Sequence, residues 1–229
     1  MHAIRLVSVD LFDTLVDLST GRHALWQTFL GETSTPARVE QAWALTTQML
    51  FTALDQINAT STYQSLHAVL QACYTEVFTR LQVPFDPEEA ARGAARYHAQ
   101  RPWFPEAVPW LEGMRRRYRL CMASDADEAM VGKHVRQYPF DRCFTSERLR
   151  VYKGDAQNRF FGAIVRHYAL APGQILHVGD SPAEIIAAQW LGLQTCWVNR
   201  RGHSWPHEHP PAYEVSSLDV LVALLGAAR

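Results

Sequence analysis

The chain has 229 residues, of which 48% are hydrophobic, and its 22 basic side chains nearly balance 23 acidic ones. This composition is typical of a globular protein with a buried core, and a net charge of −1 provides no basic excess for binding nucleic acid. No apolar run reaches the ~18 residues that a membrane span requires, so we expect neither a nucleic-acid nor a membrane partner.

The first part of the chain predicts one buried strand followed by helices. Residues 4–9 form a short run rich in β-branched residues, which is typical of a buried strand. Further on, Thr35-Pro36 and Asp86-Pro87 each combine a capping side chain with a proline, the usual start of a helix. Another helix is expected to begin near Ser61-Thr62. Residues 18–98 are therefore predicted to form an all-helical insert.

From about residue 105, predicted helices and strands alternate. The helices are expected at 106–118, 126–138, 155–168, 182–191 and 217–226, and the strands at 120–123, 143–145, 175–178 and 195–198. Such alternation predicts an α/β fold with a parallel sheet and helices on both faces. Because the first strand belongs to this sheet, residues 1–17 and 99–229 are predicted to form the core domain, and residues 18–98 a helical cap domain.

Polar side chains follow several of the predicted strands. They are Asp10, Asp13 and Thr14 after the first strand, Ser124 and Asp125 after strand 120–123, and Asp180 and Glu184 after strand 175–178. Lys153, one of only two lysines in a chain with 20 arginines, lies in a loop before helix 155–168. Because ligands gather at the carboxyl ends of parallel strands, these groups are expected to converge on one site.

Four segments together resemble the motifs of the haloacid dehalogenase (HAD) superfamily. They are VSVDLFDTLVD with Asp10, MASD with Ser124, VYKGDAQNRFF with Lys153 and GDSPAEIIAAQW with Asp180. They occur in the family's order, and a helical insert after the first motif is similar to the family's helical-cap subgroup. The resemblance implies a Rossmann-like parallel sheet core with an inserted helical cap.

The resemblance also implies a magnesium site. Its ligands would be Asp10, the backbone carbonyl of Phe12 and Asp180, with Glu184 acting through water. Mg²⁺ prefers oxygen ligands, which suits this set of residues. The leading hypothesis is therefore the Mg²⁺-dependent hydrolysis of a small-molecule phosphate ester.

In that hypothesis the remaining motif residues act on the transferred group. Asp10 would be the nucleophile and would form an aspartyl-phosphate that water later cleaves. Lys153 would pair with Asp10 and with the transferring group, while Thr14 and Ser124 would donate hydrogen bonds to its oxygens. Asp125, together with Phe12, is expected to line the substrate site.

Phe12 departs from the pattern of the family's phosphatases, which carry a second aspartate two residues after the nucleophile to act as general acid and base. An aromatic residue there resembles the 2-haloacid dehalogenases, in which Asp10 would attack carbon without a metal. Those enzymes also use a cap arginine, whose position here falls near Ala44, with Arg38 the nearest candidate. A third alternative is a binding protein that retained the fold and lost most activity.

The dehalogenase alternative has two further mismatches in the motifs. Dehalogenases carry asparagine where this chain has Asp125, and their fourth motif carries serine and asparagine in place of the acidic pair Asp180 and Glu184. That acidic pair is better suited to a metal. The sequence therefore places dehalogenation second.

The remaining expectations concern the surface and the setting of the protein. The run Arg115 to Arg117, followed by Arg119, is expected to be solvated at a helix end, and Arg200-Arg201 are expected on the surface. Four widely spaced cysteines favour reduced thiols, and the start of the chain lacks a signal-peptide pattern, so a cytoplasmic location is expected. The protein is expected to be a monomer or homodimer.

Overall fold

Six parallel strands form one sheet in the computed structural model, which describes residues 3–227. The strands are β1 Leu6–Val9, β2 Arg119–Ser124, β3 Arg142–Thr145, β4 Ile175–Gly179, β5 Gln194–Val198 and β6 Tyr213–Val215. They lie in the order β3-β2-β1-β4-β5-β6. β1 is buried along its whole length and pairs with both β2 and β4. The carboxyl ends of these three central strands therefore meet at one edge.

Within residues 3–227, ten α-helices surround the sheet and form the insert. They are α1 Arg22–Leu30, α2 Pro36–Thr60, α3 Leu66–Leu81, α4 Pro87–Gln100, α5 Ala107–Arg115, α6 Glu128–Gln137, α7 Ser146–Leu149, α8 Arg159–Tyr168, α9 Pro182–Trp190 and α10 Leu218–Ala227. Along the chain, helices α1 to α4 are inserted between β1 and the other five strands. This order confirms an α/β Rossmann-like core with an inserted helical cap. The domain boundaries at residues 17 and 99 stay a prediction. No helix within residues 3–227 is long and apolar enough to cross a membrane.

Two apolar cores cover the two faces of the sheet. One contains Val7 and Val9 and continues into the cap helices through Trp26 and Phe29. The other contains Leu6 and packs the opposite face against α8 and α9. Alternate residues of β1 thus enter different cores, as the pleat of a strand requires. The four cysteines are free thiols, as expected.

The side-chain caps explain which predicted helix starts are right. Thr35 accepts a hydrogen bond from the Arg38 N–H, and Asp86 accepts one from the Glu89 N–H, so α2 and α4 begin at the predicted prolines. The helix start expected near Ser61-Thr62 is wrong. Ser61 adopts a left-handed conformation (φ 51°) that ends α2, and Ser65 supplies the cap of α3.

Two other boundaries differ from the prediction. Helix α8 begins at Arg159 rather than at residue 155, because the Asp155 carboxylate accepts the backbone N–H groups of Gln157 and Arg159 and holds a turn. Helix α5 ends at Arg115 rather than at residue 118, since the chain then turns into β2. Strand β6, only three residues long, was not predicted.

Candidate active site

The nucleophile candidate Asp10 lies directly after β1, at the carboxyl edge of the sheet. Its backbone N–H donates to the Val178 carbonyl of β4 at 2.8 Å, which continues the strand pairing by one residue. Asp10 is 5% exposed, and Ser124, the last residue of β2, is 1% exposed. Adjacent strands thus place two of the predicted site residues, both buried, at the same edge of the sheet.

Lys153 joins two of the carboxylates. Its Nζ lies 2.5 Å from Asp10 Oδ1 and also donates to Glu184 Oε2. The backbone N–H of Lys153 donates to Asp125 Oδ1 at 2.9 Å, which fixes the loop that carries it. Lys153 is 3% exposed, so these ion pairs form with little access to water. The lysine predicted from the motif is therefore placed against the predicted nucleophile.

Asp180 and Glu184 complete a group of three carboxylates with Asp10. One oxygen from each residue lies within 4.8 Å of the other two. The Thr14 hydroxyl donates to Asp180 Oδ1 at 3.3 Å. The structure therefore brings together Asp10, Thr14 and the acidic pair, as the strand-end argument predicts.

The electrostatic environment separates the pKa values of these acids. Burial raises the pKa of Asp10 to about 7, although the attraction of Lys153 opposes this shift and Glu184 adds to it. Burial and repulsion by Glu184 and Asp10 raise the pKa of Asp180 well above its ordinary value. For Glu184, the ion pair with Lys153 and the His177 hydrogen bond outweigh burial and lower the pKa to about 2.

His177, which lies in β4 and is not among the site residues predicted from the sequence, supports Glu184 from inside the sheet. Its Nε2 lies 3.3 Å from Glu184 Oε2, and its Nδ1 lies 3.2 Å from the hydroxyl of Ser8 on β1. Burial lowers the pKa of His177, so the ring is neutral and donates through one nitrogen only. A histidine in an otherwise apolar buried strand is the sequence signal that could have identified it.

Gly179 provides the space that Glu184 occupies. A Cβ at position 179 would lie 2.1 Å from Glu184 Oε1. The same carboxylate oxygen accepts the Ser181 N–H at 3.1 Å, so it cannot move aside without losing that bond. The glycine of the fourth motif is therefore required for the placement of the acid one helical turn later.

Phe12 occupies an apolar corner beside the site. Its ring meets the His98 ring edge-on at 5.0 Å between centroids, and His134 lies behind at 6.2 Å. Asp13 adopts a left-handed conformation (φ 57°), and its carboxylate accepts the Leu18 N–H and lies 4.0 Å from Arg201. Asp13 is thus engaged in holding the turn after β1. The proposed role of the Phe12 carbonyl as a metal ligand stays a prediction.

Arg200, expected on the surface, instead holds the loop that follows the nucleophile candidate Asp10. Its guanidinium donates to the backbone carbonyls of Asp13 at 3.3 Å and Thr14 at 2.8 Å. It also pairs with Glu106 at 2.6 Å and lies over the Phe104 ring at 3.7 Å. No local sequence pattern predicts the two hydrogen bonds to the carbonyls, because they join residues more than 180 positions apart.

Replacing Arg200 should therefore disturb catalysis without touching substrate. We expect Arg200→Ala to lower kcat about tenfold or more, since small displacements of reacting groups are costly. Arg201→Ala, at the neighbouring exposed position, is the matched control and should leave kcat nearly unchanged. Steady-state kinetics on an aryl phosphate measures both. An unchanged kcat in Arg200→Ala would show that the loop holds its position without this clamp.

The donor set fits a divalent cation. Asp10, Asp125, Asp180 and Glu184 bring four carboxylates to the site, and burial makes their mutual repulsion costly. Among the described residues, Lys153 is the only lysine or arginine that bonds to any of the four through its side chain. Oxygen ligands with an excess of negative charge are what Mg²⁺ requires. Asp10, Asp180 and Glu184 are the residues placed to hold it.

Comparison with known protein families identifies the family of this chain. A model of the haloacid dehalogenase-like hydrolase family matches residues 4–192. The chain belongs to this family of hydrolases, which confirms the resemblance inferred from the motifs.

Two curated relatives are dehalogenases by name. The (S)-2-haloacid dehalogenase of Pseudomonas sp. (strain YL) is 28% identical over 131 residues, and the match spans 55% of this chain and only 56% of that enzyme. The haloacetate dehalogenase H-2 of Moraxella sp. (strain B) is 22% identical over 237 residues, which span 98% of this chain and 99% of that enzyme.

Solved structures share the whole fold. The L-2-haloacid dehalogenase RSc1362 superposes with a TM-score of 0.83 at 22% identity, covering 98% of this chain and 100% of that one. The HAD-hydrolase YfnB from Bacillus subtilis, a structure bound to magnesium, gives 0.82 at 20% identity, covering 98% and 99%. At these identities the likeness establishes the fold. The names of the relatives favour dehalogenation, the second hypothesis, over phosphate ester hydrolysis.

Proposed function

We propose that the protein hydrolyses a small-molecule phosphate ester in an Mg²⁺-dependent reaction with Asp10 as nucleophile. The observation that carries this proposal is the group of carboxylates Asp10, Asp180 and Glu184, of which Asp10 and Glu184 are buried and which Lys153 neutralises only in part. A leaving halide or a haloacid carboxylate would add another anion to this site with no metal to offset it. Electrostatics therefore favours the phosphatase, although the names of the relatives favour the alternative.

The chemistry assigns one role to each side chain. A carboxylate oxygen of Asp10 forms a bond to phosphorus while the bond from phosphorus to the leaving oxygen breaks. Lys153, already paired with Asp10, is placed to stabilise the charge on the transferred group. Water then attacks phosphorus, which releases phosphate and restores Asp10. Mg²⁺, when bound, supplies charge neutralisation between the two anions that must meet.

The apolar surroundings of Phe12 predict a strong preference among substrates. A leaving alcohol receives no proton from a carboxyl at this position, and such general acids contribute ~10²–10⁴-fold. Aryl and acyl phosphates should therefore be cleaved much faster than alkyl phosphates. The measurement is kcat/KM across a series of aryl and alkyl phosphates graded by leaving-group pKa. A flat series, with chemistry rate-limiting, would assign the proton to another group, and His98 beside Phe12 is the nearest ring.

The proposed function is tested with two substrate panels. Phosphate release from phosphorylated metabolites and halide release from 2-haloacids are measured with Mg²⁺ and with a chelator. We expect phosphate release that disappears on chelation and no halide release. Asp180→Asn should lose the Mg²⁺ response, while Asp55→Asn, on an exposed face of α2, is the control. Halide release that persists in the chelator would overturn the proposal. Specific binding without any turnover would support the binding-protein alternative.

Dehalogenation is the second candidate, and two observations favour it. Curated relatives of this chain are named dehalogenases, and the chain has the aromatic Phe12 at the position where phosphatases carry an acid. In this reaction Asp10 would attack the carbon that bears the halogen, and water would cleave the resulting ester. The expected cap arginine is missing, however. Arg38 donates to the Leu81 carbonyl at 2.5 Å within the cap, and Asp125 adds a negative charge.

The two candidates differ in their pH dependence. Without a metal, Asp10 has a pKa of about 7 because burial raises it more than Lys153 lowers it. The attacking form is the ionised carboxylate, so metal-free dehalogenation should decline as pH falls through about 7, roughly tenfold per pH unit below that. The rate of halide release, recorded from about pH 5 to about pH 9, measures this decline. A profile flat down to pH 5 would contradict nucleophilic attack by a free Asp10.

A further inference from the structure

Five arginines line one cleft at the end of the sheet opposite the candidate active site. The arginine cleft, as we name it, is formed by Arg5, Arg115, Arg116, Arg117 and Arg119, and Asp141 is the one acidic residue among the described residues that line it. Arg5 directly precedes β1, and Arg119 is the first residue of β2, so the cleft lies at the amino edge of the strands. It is separate from the residues assigned to catalysis.

The charges of the arginine cleft are mostly uncompensated. Arg119 lies 3.6 Å from Asp141, but the other four arginines form no ion pair with any residue in the range 3–227. On helix α4, by contrast, Arg92 and Arg96 both pair with Glu89. A protein with a net charge of −1 thus concentrates unpaired guanidinium groups in one concavity. Their mutual repulsion is relieved when an anion binds.

A favourable end for helix α5 accounts for only part of this cluster. Arg115 lies in the last turn of α5 and Arg116 is its C-cap, where positive charge is favourable. Arg117 and Arg119 lie beyond the helix end, and Arg5 comes from a different part of the chain. The Arg119 guanidinium also lies 4.4 Å from the centroid of the Tyr168 ring, which fixes its orientation by a cation–π contact.

We propose that the arginine cleft binds a small molecule that carries a di- or triphosphate group. Guanidinium groups match phosphate oxygens in a bidentate manner, and several of them around one space suit adjacent phosphates rather than a single one. The cleft has a volume of about 690 Å³, which is within the range of small-molecule sites. A nucleic-acid backbone would need a basic stripe longer than one cleft and a basic excess that the chain lacks.

Calorimetric titration with inorganic tripolyphosphate, in a chelator and at low salt, tests the proposal. Removing divalent cations leaves the active-site carboxylates repulsive to anions, so binding there is suppressed. Arg116→Glu/Arg117→Glu should weaken binding tenfold or more, because two charge-assisted contacts are lost. Arg80→Glu/Arg136→Glu changes the net charge equally on other exposed helical positions and should retain affinity within about twofold, because surface charges farther than a Debye length away are screened. Orthophosphate should bind much more weakly than tripolyphosphate.

Three results would overturn the proposal. They are no binding of tripolyphosphate by the unaltered protein, equal weakening in both double variants, and tighter binding of a short RNA duplex than of tripolyphosphate. The milder Arg116→Gln/Arg117→Gln variant is a control for misfolding, since both positions are exposed and the substitution only removes charge. Its thermal unfolding should match that of the unaltered protein while its affinity for tripolyphosphate falls.

Discussion

Asp10→Asn should reduce turnover by at least about a thousandfold while the fold stays intact, since removing a catalytic nucleophile costs this much or more in other enzymes. Asparagine is nearly the same size as aspartate, but its amide does not act as a nucleophile here. The substitution also removes one buried negative charge from the group with Asp180 and Glu184. Because Lys153 keeps its ion pair with Glu184, the metal-free variant should be at least as stable to heat as the unaltered protein.

The measurement combines steady-state kinetics with thermal unfolding in a chelator. Asp55→Asn is the matched control, because it makes the same chemical change at an exposed position. Retention of more than about a tenth of the activity would remove Asp10 from the role of nucleophile, because catalysis without that group falls far lower. A large loss of thermal stability would show instead that the Asp10–Lys153 ion pair is mainly structural.

The second large effect is expected at Lys153. Lys153→Met keeps the apolar stem and removes the ammonium group, which leaves Asp10 and Glu184 buried without their cationic partner. Removing one member of a buried ion pair costs about 3–5 kcal/mol of unfolding free energy, and we expect a loss in this range near neutral pH together with the loss of activity. Lys133→Met is the natural control, since Lys133 is the other lysine of the chain and is exposed.

The destabilisation by Lys153→Met should depend on pH in a defined direction. Without the ammonium, the pKa values of the two carboxyls rise in the folded state above their values in the unfolded chain. The folded variant then takes up protons more readily, so its stability is lost as pH rises and partly regained as pH falls. Denaturant unfolding at about pH 5 and at about pH 8 measures this difference in stability. A difference from Lys133→Met that stays below about 1 kcal/mol at both values would contradict the buried ion pairs.

The sequence predicted the elements and residues that depend on local pattern. A parallel sheet places the carboxyl ends of its strands at one edge, so Asp10, Ser124 and Asp180 could be placed together from strand ends alone. Helix starts that have both a capping side chain and a proline were also predicted correctly, at Pro36 and Pro87. In both cases the signal lies within a few residues of the feature.

Features that depend on distant contacts were not predictable in this way. Arg200 reaches the carbonyls of Asp13 and Thr14 from the loop after β5, far away in sequence, and a surface position was the ordinary expectation for it. His177 stands out in an apolar strand, but its role depends on a partner seven residues away, and the strand pattern does not show that Glu184 is that partner. The start of α3 was misplaced because Ser61 and Ser65 are both plausible caps, and only the left-handed turn at Ser61 separates them.

The most direct test of the proposed chemistry is which atom water attacks after Asp10 has reacted. A single turnover in water enriched in the heavy isotope of oxygen is followed by mass spectrometry of the peptide that contains Asp10. With an aryl phosphate as the substrate, attack of water on phosphorus in an aspartyl-phosphate places the heavy oxygen in the released phosphate, and the Asp10 peptide keeps its ordinary mass. With a 2-haloacid as the substrate, halide release together with a heavier Asp10 peptide would mean that water attacks the carboxyl carbon of an ester, which would contradict the proposed function and favour dehalogenation.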